Sequence, residues 1–222
     1  MHLIYPDPQW DERVRAGTAL RRLANALVRH RLSASELEEI ADAANVYAAR
    51  AEIQPQVQRP SDYLARRYVD PAPEDGSQVV AFSDRPFSGP ANPAGFEVDL
   101  RRDGDSVVSK VTFGAAFESA PGRAHGGAIS AAVDDTMGYL MVVLGVAAYT
   151  AELTVRYLKG VPVETPVTFT AQAADPEGRK LPVSLTAVHD GETLIEATAV
   201  FVLIPADRLP PVEPQLGEDP RS

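Results

Sequence analysis

The chain contains no cysteine. That absence excludes disulfide frameworks, thiolate zinc sites and cysteine nucleophiles together, and it fits a reducing compartment. No apolar run approaches the ~20 residues needed to cross a bilayer. The opening residues, "MHLIYPDPQW", lack the basic stretch and apolar centre of a secretory leader. The expectation is therefore a soluble, cytoplasmic protein with no membrane partner. Positive charge is scarce: 21 Lys and Arg stand against 31 Asp and Glu, for a net charge of −10. Such a balance repels phosphate backbones and argues against nucleic acid as a partner. The four histidines, His2, His30, His125 and His189, show no H-x-x-x-H spacing, so no metal site is expected. A G-x-S-x-G elbow is also missing, which disfavours a Ser-His-Asp hydrolase.

What remains is a chain of 222 residues, 45% of them apolar, enough for one substantial core with extensions. Residues 10–31 place Trp10, Val14, Leu20, Leu23, Ala24, Leu27 and Val28 at helical spacing, with arginines between them. A second helix is predicted in "SASELEEIADAANVYAARAEI". There Ser33 and Ser35 each precede a glutamate by three residues, and Leu37, Ile40, Ala44 and Tyr47 supply a stripe. The two helices are expected to form a hairpin or to pack on the main domain. Residues 1–55 thus read as an N-terminal helical extension and 56–94, rich in Pro, Asp, Ser and Gly, as an extended linker. Residues 206–222 read as a disordered tail.

Between them, residues 95–205 alternate like strands. "FEVDLRRDGDSVVSKVTFG" predicts a hairpin about Asp103-Gly104. A helix over roughly 126–144 follows, then four strand candidates: "YTAELTVRYL", "PVTFTAQAA", "KLPVSLTAVH" and "TLIEATAVFVLI". One apolar helix among six mainly antiparallel strands has an economical solution, an α+β fold in which the sheet curls around the helix. The helix suits it. Ile129, Ala132, Val133, Thr136, Met137, Leu140, Met141 and Leu144 make a wide stripe, while Gly127, Ser130, Asp134 and Gly138 line another side with small or polar groups.

The stretch "GRAHGGAISAAVDDTMG" carries the chemistry. A helix start offers unused backbone N–H groups and a favourable dipole for negative charge, so His125-Gly126-Gly127 could hold an anion or a developing oxyanion. Tight helix–sheet packing is the alternative explanation of the two glycines. Asp134 and Asp135 diverge by ~100° and cannot serve one site as a dyad. Asp134 lies on the small-residue side, where a ligand can reach it; Asp135 is expected to cap or to form an ion pair. Eight helical steps separate Gly126 from Asp134, about 12 Å. Donors and base acting on one carbonyl must each lie within ~3 Å of their atoms. A two-fold partner with an antiparallel helix would unite them, so an enzyme of this kind would be a homodimer with composite sites.

"HGGAISAAVDDTMG" and "YTAELTVRYLKGVP" resemble the hotdog-fold acyl-CoA thioesterases, the PaaI-like branch of the 4-hydroxybenzoyl-CoA thioesterase superfamily. "DPEGRKLPVSLTAVHDGETLIEATAVFVLI" is similar to the closing strands of that branch's mammalian mitochondrial long-chain members. The resemblance covers about residues 84–204. It implies a hotdog fold, an acyl-CoA substrate, no cofactor, and a homodimer that can pair into a dimer of dimers. It implies, further, that the Gly126 N–H polarises the thioester carbonyl and that His125 positions that loop or the carbonyl. Asp134 would act as general base or nucleophile, with Thr150 orienting the water. Gly127 and Ser119 would contact substrate, Ser119 standing where many relatives have asparagine. Arg123, Arg156, Lys159, Arg179 and Lys180 are candidates for the coenzyme phosphates. Two other functions stay open, a hotdog hydratase or dehydratase and a non-catalytic acyl-CoA sensor or scaffold. Residues 1–52 carry seven arginines against eight acidic residues, which disfavours DNA as a scaffold's partner.

Overall fold

In the computed structural model, residues 1–3, 5 and 7–212 are described. Helix α1 (Trp10–Arg29) and helix α2 (Ala34–Glu52) form the N-terminal extension. Ser33 caps α2 through a complete capping box with Glu36, the first of the two serines read from the sequence. A short parallel pair, β1 (His2–Leu3) with β2 (Val79–Val80), ties the first residues to the segment ahead of the domain. Hairpin β3 (Glu97–Asp103) and β4 (Ser106–Thr112) turns where expected, with Gly104 at φ 58°. Helix α3 (Gly126–Val143) comes next, then β5 (Ala148–Tyr157), β6 (Pro166–Ala173), β7 (Lys180–His189) and β8 (Glu192–Leu203).

The six strands β3 to β8 form one antiparallel sheet in the order β3-β4-β6-β7-β8-β5. Its alternating inward residues, among them Val107, Val111, Phe169, Leu185 and Phe201, bury against α3. The apolar stripe of α3 supplies the other half of the core: Ile129, Val133, Met137, Leu140 and Met141 are all buried. Thr136, within that stripe, is satisfied by Ser109 at 2.9 Å. This is the α+β architecture read from the alternation, a sheet curled on one long helix.

Residues 56–94 have little regular structure yet reach the core. Leu64, Ala65, Val79, Val80, Ala81 and Ala91 are buried there. Helix α1 seats on this segment at Gly17, where a Cβ would fall 2.4 Å from the carbonyl oxygen of Ala91. Its far end is held by Asn25, whose Oδ1 accepts from the Ala116 amide at 2.9 Å. After β8 a single 3-10 turn occupies Ala206–Arg208. Residues 213–222 of the expected tail lie outside the described residues.

Candidate active site

The entry to α3 is pinned before the helix begins. The Ala124 amide donates to Val161 O at 2.9 Å and the His125 amide to Phe117 O at 2.8 Å. His125 is the N-cap, its Nδ1 accepting from the Gly127 amide at 3.0 Å. An accepting Nδ1 leaves the ring proton on Nε2. No acidic side chain occupies the first turn, and among the described residues no acceptor engages the Gly126 N–H. The helix therefore opens with the Gly126 and Ala128 amides uncommitted among the described residues and its dipole uncompensated. Tight packing does not account for Gly126, because a Cβ there would meet Tyr157 at an ordinary 3.6 Å.

Tyr157, at the end of β5, closes the other side of that turn. Its hydroxyl donates to Gly126 O at 2.9 Å and lies 2.6 Å from Ser130 Oγ. Two turns along the helix, Asp134 is exposed and accepts from Thr150 Oγ1 at 3.0 Å. Simple alternation along β5 would put Thr150 on the face opposite Leu153, Val155 and Tyr157. A register shift between Thr150 and Glu152 corrects this and turns the hydroxyl toward α3.

Asp135 points elsewhere, as its position one residue on requires. It pairs with Arg85 Nε at 2.7 Å. The Arg85 guanidinium also lies 4.3 Å over the ring of Tyr139. Burial works to lower the Arg85 pKa, but Tyr139 and Asp135 outweigh it and hold the group above its ordinary value. Burial pushes the Tyr139 phenol up; its oxygen accepts from the Ala81 amide at 3.4 Å and contacts Ser88 Oγ at 3.2 Å. A cleft of 360 Å³ opens over this pair, walled by Arg59, Tyr63, Phe82, Pro86 and Phe87 and reaching Asp134. Behind Tyr63, buried Arg67 donates to its hydroxyl at 3.4 Å, and burial lowers the Arg67 pKa.

The protomer thus brings Asp134 and Thr150 together, and separately His125, Gly126 and Gly127, with half the helix between the two groups. Of the expected phosphate ligands, Arg123 sits by the helix start, donating to Gly160 O at 3.2 Å. Lys159 is in the same region but paired with Glu192, and Arg156 pairs with Glu196 at 2.7 Å. Arg179 and Lys180 stand at the start of β7, opposite Leu203 and Val202, at the other end of β5. Ser119 is exposed, and no hydrogen bond of its side chain is found among the described residues. Sequence reasoning missed Arg85, Tyr63, Phe82 and Tyr157, and placed Ser130 only on the side of the helix that carries Asp134. Only the unexplained Asp135 pointed toward the first of them.

Comparison with known proteins agrees with this architecture. Residues 121–196 match the Thioesterase superfamily. Over 104 residues the chain is 36% identical to the acyl-coenzyme A thioesterase THEM4 of Mus musculus, covering 46% of this chain and 45% of that protein. The THEM4 of Xenopus laevis is 38% identical over 88 residues, 39% of this chain and 40% of that protein. The chain thus spans less than half the length of these curated relatives. A thioesterase superfamily protein of known crystal structure aligns with a TM-score of 0.69 at 28% identity, over 86% of this chain and 90% of that one. That coverage exceeds the hotdog domain and so takes in residues outside it. The fold is the hotdog fold that the resemblance implied, and residues 121–196 within it are similar to the thioesterase superfamily.

Proposed function

We propose that this protein hydrolyses acyl-CoA thioesters to the free acid and coenzyme A. The observation that carries the reading is the Thr150–Asp134 hydrogen bond on an open helix face beside the cleft. Thr150 occupies one oxygen of the carboxylate, leaving the other for a water. Asp134 takes the proton as water attacks the thioester carbonyl, the oxyanion forms against the Gly126 N–H, and the C–S bond breaks. Thiolate is a good leaving group and needs no strong acid. Direct attack by Asp134 on the carbonyl is the other route this geometry allows. His125 works indirectly, by occupying the Gly127 amide so that the neighbouring one stays presented. Arg123, near the helix start, is the first candidate for the coenzyme phosphates, and Lys159 the second, on release from Glu192.

The two halves of this chemistry meet between protomers. Strand β5 is a sheet edge ten residues long, its outer side unpaired among the described residues. Edge-to-edge pairing of two such strands would set the helices antiparallel, with Gly126 of one copy facing Asp134 of the other. The acyl-CoA thioesterase THEM4 relatives support the same substrate class.

The test is a panel of acyl-CoAs of graded length, with released thiol trapped, on the wild type and Asp134→Asn. Saturated acyl-CoAs release thiol from the wild type, and the exposed, isosteric Asn lowers kcat by roughly 10²–10⁴-fold. Undiminished turnover by Asp134→Asn removes Asp134 from the mechanism. Hydration of unsaturated thioesters without thiol release favours the hydratase instead, and binding without any turnover favours a sensor.

A further inference from the structure

The carbonyl on which Asp134 would act has two arms, and the cleft beside that carboxylate suits one of them. The coenzyme arm carries phosphates. Asp134 and Asp135 both line the cleft and repel them, and the two guanidiniums in its wall are already engaged, Arg85 by Asp135 at 2.7 Å and Arg59 by Asp84 at 2.7 Å. Tyr63, Phe82, Pro86 and Phe87 make up the rest of the wall, a lining for the acyl arm. The ring of Phe87 is held there against a backbone preference. Its φ is 67°, a region that bulky side chains avoid. The Phe96 amide on its carbonyl at 2.6 Å and ring stacking with Phe96 at 5.4 Å keep it so.

The cleft also has an end. Arg59 and Phe82 line it, and the same two residues line a second hollow of 510 Å³. The Arg59 guanidinium lies 4.3 Å over the Phe82 ring, and Tyr5 stacks on that ring at 4.9 Å. In the second hollow Tyr5, Pro8, Val57 and Pro60 supply apolar surface. Its charges are tied to one another, Arg13 reaching Asp7 at 3.6 Å and Asp84 at 3.3 Å. The 360 Å³ beside Asp134 and this larger space are thus parted by one aromatic ring and one side chain that is 48% exposed.

We propose that Arg59, laid on Phe82, is the stop that sets how long an acyl group the cleft beside Asp134 accepts. The substrates are acyl groups that end within the first space. A longer chain meets the guanidinium and must either strip water from it or push it off Asp84, and both are unfavourable. The identity of the occupant rests on the thioesterase reading above; the stop itself rests on the two cavities and the residues they share.

The test is the acyl-CoA series from acetyl to palmitoyl, on the wild type and Arg59→Ala. Exposed ion pairs and stacked cations contribute little to stability, so the variant folds. Wild-type kcat/KM falls beyond an intermediate length. Arg59→Ala joins the two spaces, and the ratio of long-chain to intermediate-chain kcat/KM rises by about 10-fold or more, the scale on which pockets discriminate methylenes. A side chain with a merely structural role would move every length in parallel and leave that ratio alone. An unchanged ratio overturns the proposal, as does a wild type with no fall-off, and either result leaves thioester hydrolysis standing. Should no member of the series release thiol from the wild type, the thioesterase reading falls separately. The same ratio is then taken from affinities measured by calorimetry, where a rise with Arg59→Ala supports the stop and an unchanged ratio overturns it.

Discussion

Arg85 and Asp135 illustrate how one pair can couple two distant parts of a chain. Fifty residues apart in sequence, they meet at 2.7 Å with the arginine also stacked on Tyr139. Removing one partner strands a buried charge. Asp135→Asn or Arg85→Met is therefore expected to cost about 3–5 kcal/mol in urea unfolding, while Arg85→Met with Asp135→Leu recovers most of it. Thr150→Val behaves differently. The residue is exposed, so the fold is unaffected, but Asp134 loses a charge-assisted hydrogen bond. On the proposed mechanism kcat falls by about 10- to 100-fold, as expected for loss of about 1.5–3 kcal/mol, with KM little changed. Steady-state kinetics beside a thermal melt separates the two effects. Asp134 was legible because small and polar residues interrupt the apolar pattern of its helix, and Thr150 only through the resemblance of its strand. Arg85 was not: it sits in a stretch without periodicity, and its partner is set by the tertiary fold.

At the scale of elements, what could be read followed local rules. The box of Ser33 and Glu36, the Asp103-Gly104 turn and the 3.6-residue stripe of α3 each involve residues within a few positions of one another, and each element formed where its pattern lay. The register shift in β5 breaks simple alternation, and nothing in "YTAELTVRYL" announces it. Residues 56–94 hide their burial for the same reason, since their contacts are long-range and their backbone irregular. The joint between α1 and this segment depends on Gly17. Gly17→Ala sets a methyl against the Ala91 carbonyl and forces the helix off its seat, at roughly 1–3 kcal/mol. Chemical denaturation measures that loss. Protease sensitivity rising first within residues 1–55 would locate it.

For the whole molecule, the proposed site is a property of two chains. A variant defective at the helix start, His125→Ala, and one lacking the base, Asp134→Asn, are each expected to be nearly inactive alone. Unfolded together and refolded as a mixture, they should recover activity, since half the dimers are hybrids and each hybrid holds one intact site. About a quarter of wild-type turnover is the statistical ceiling. No recovery would mean that each chain carries its own complete centre. The cleft adds a different lesson. Asp134 and Asp135 belong to the stretch matched by the superfamily, whereas Arg59, Tyr63, Phe82, Arg85, Pro86 and Phe87 all lie ahead of it. On the proposed mechanism, the carboxylate that acts on the bond and most of the wall of the cleft beside it are thus written in separate passages of the chain. Evolution, or an engineer, could reshape that cleft by editing the earlier passage alone, with Asp134 left where it stands.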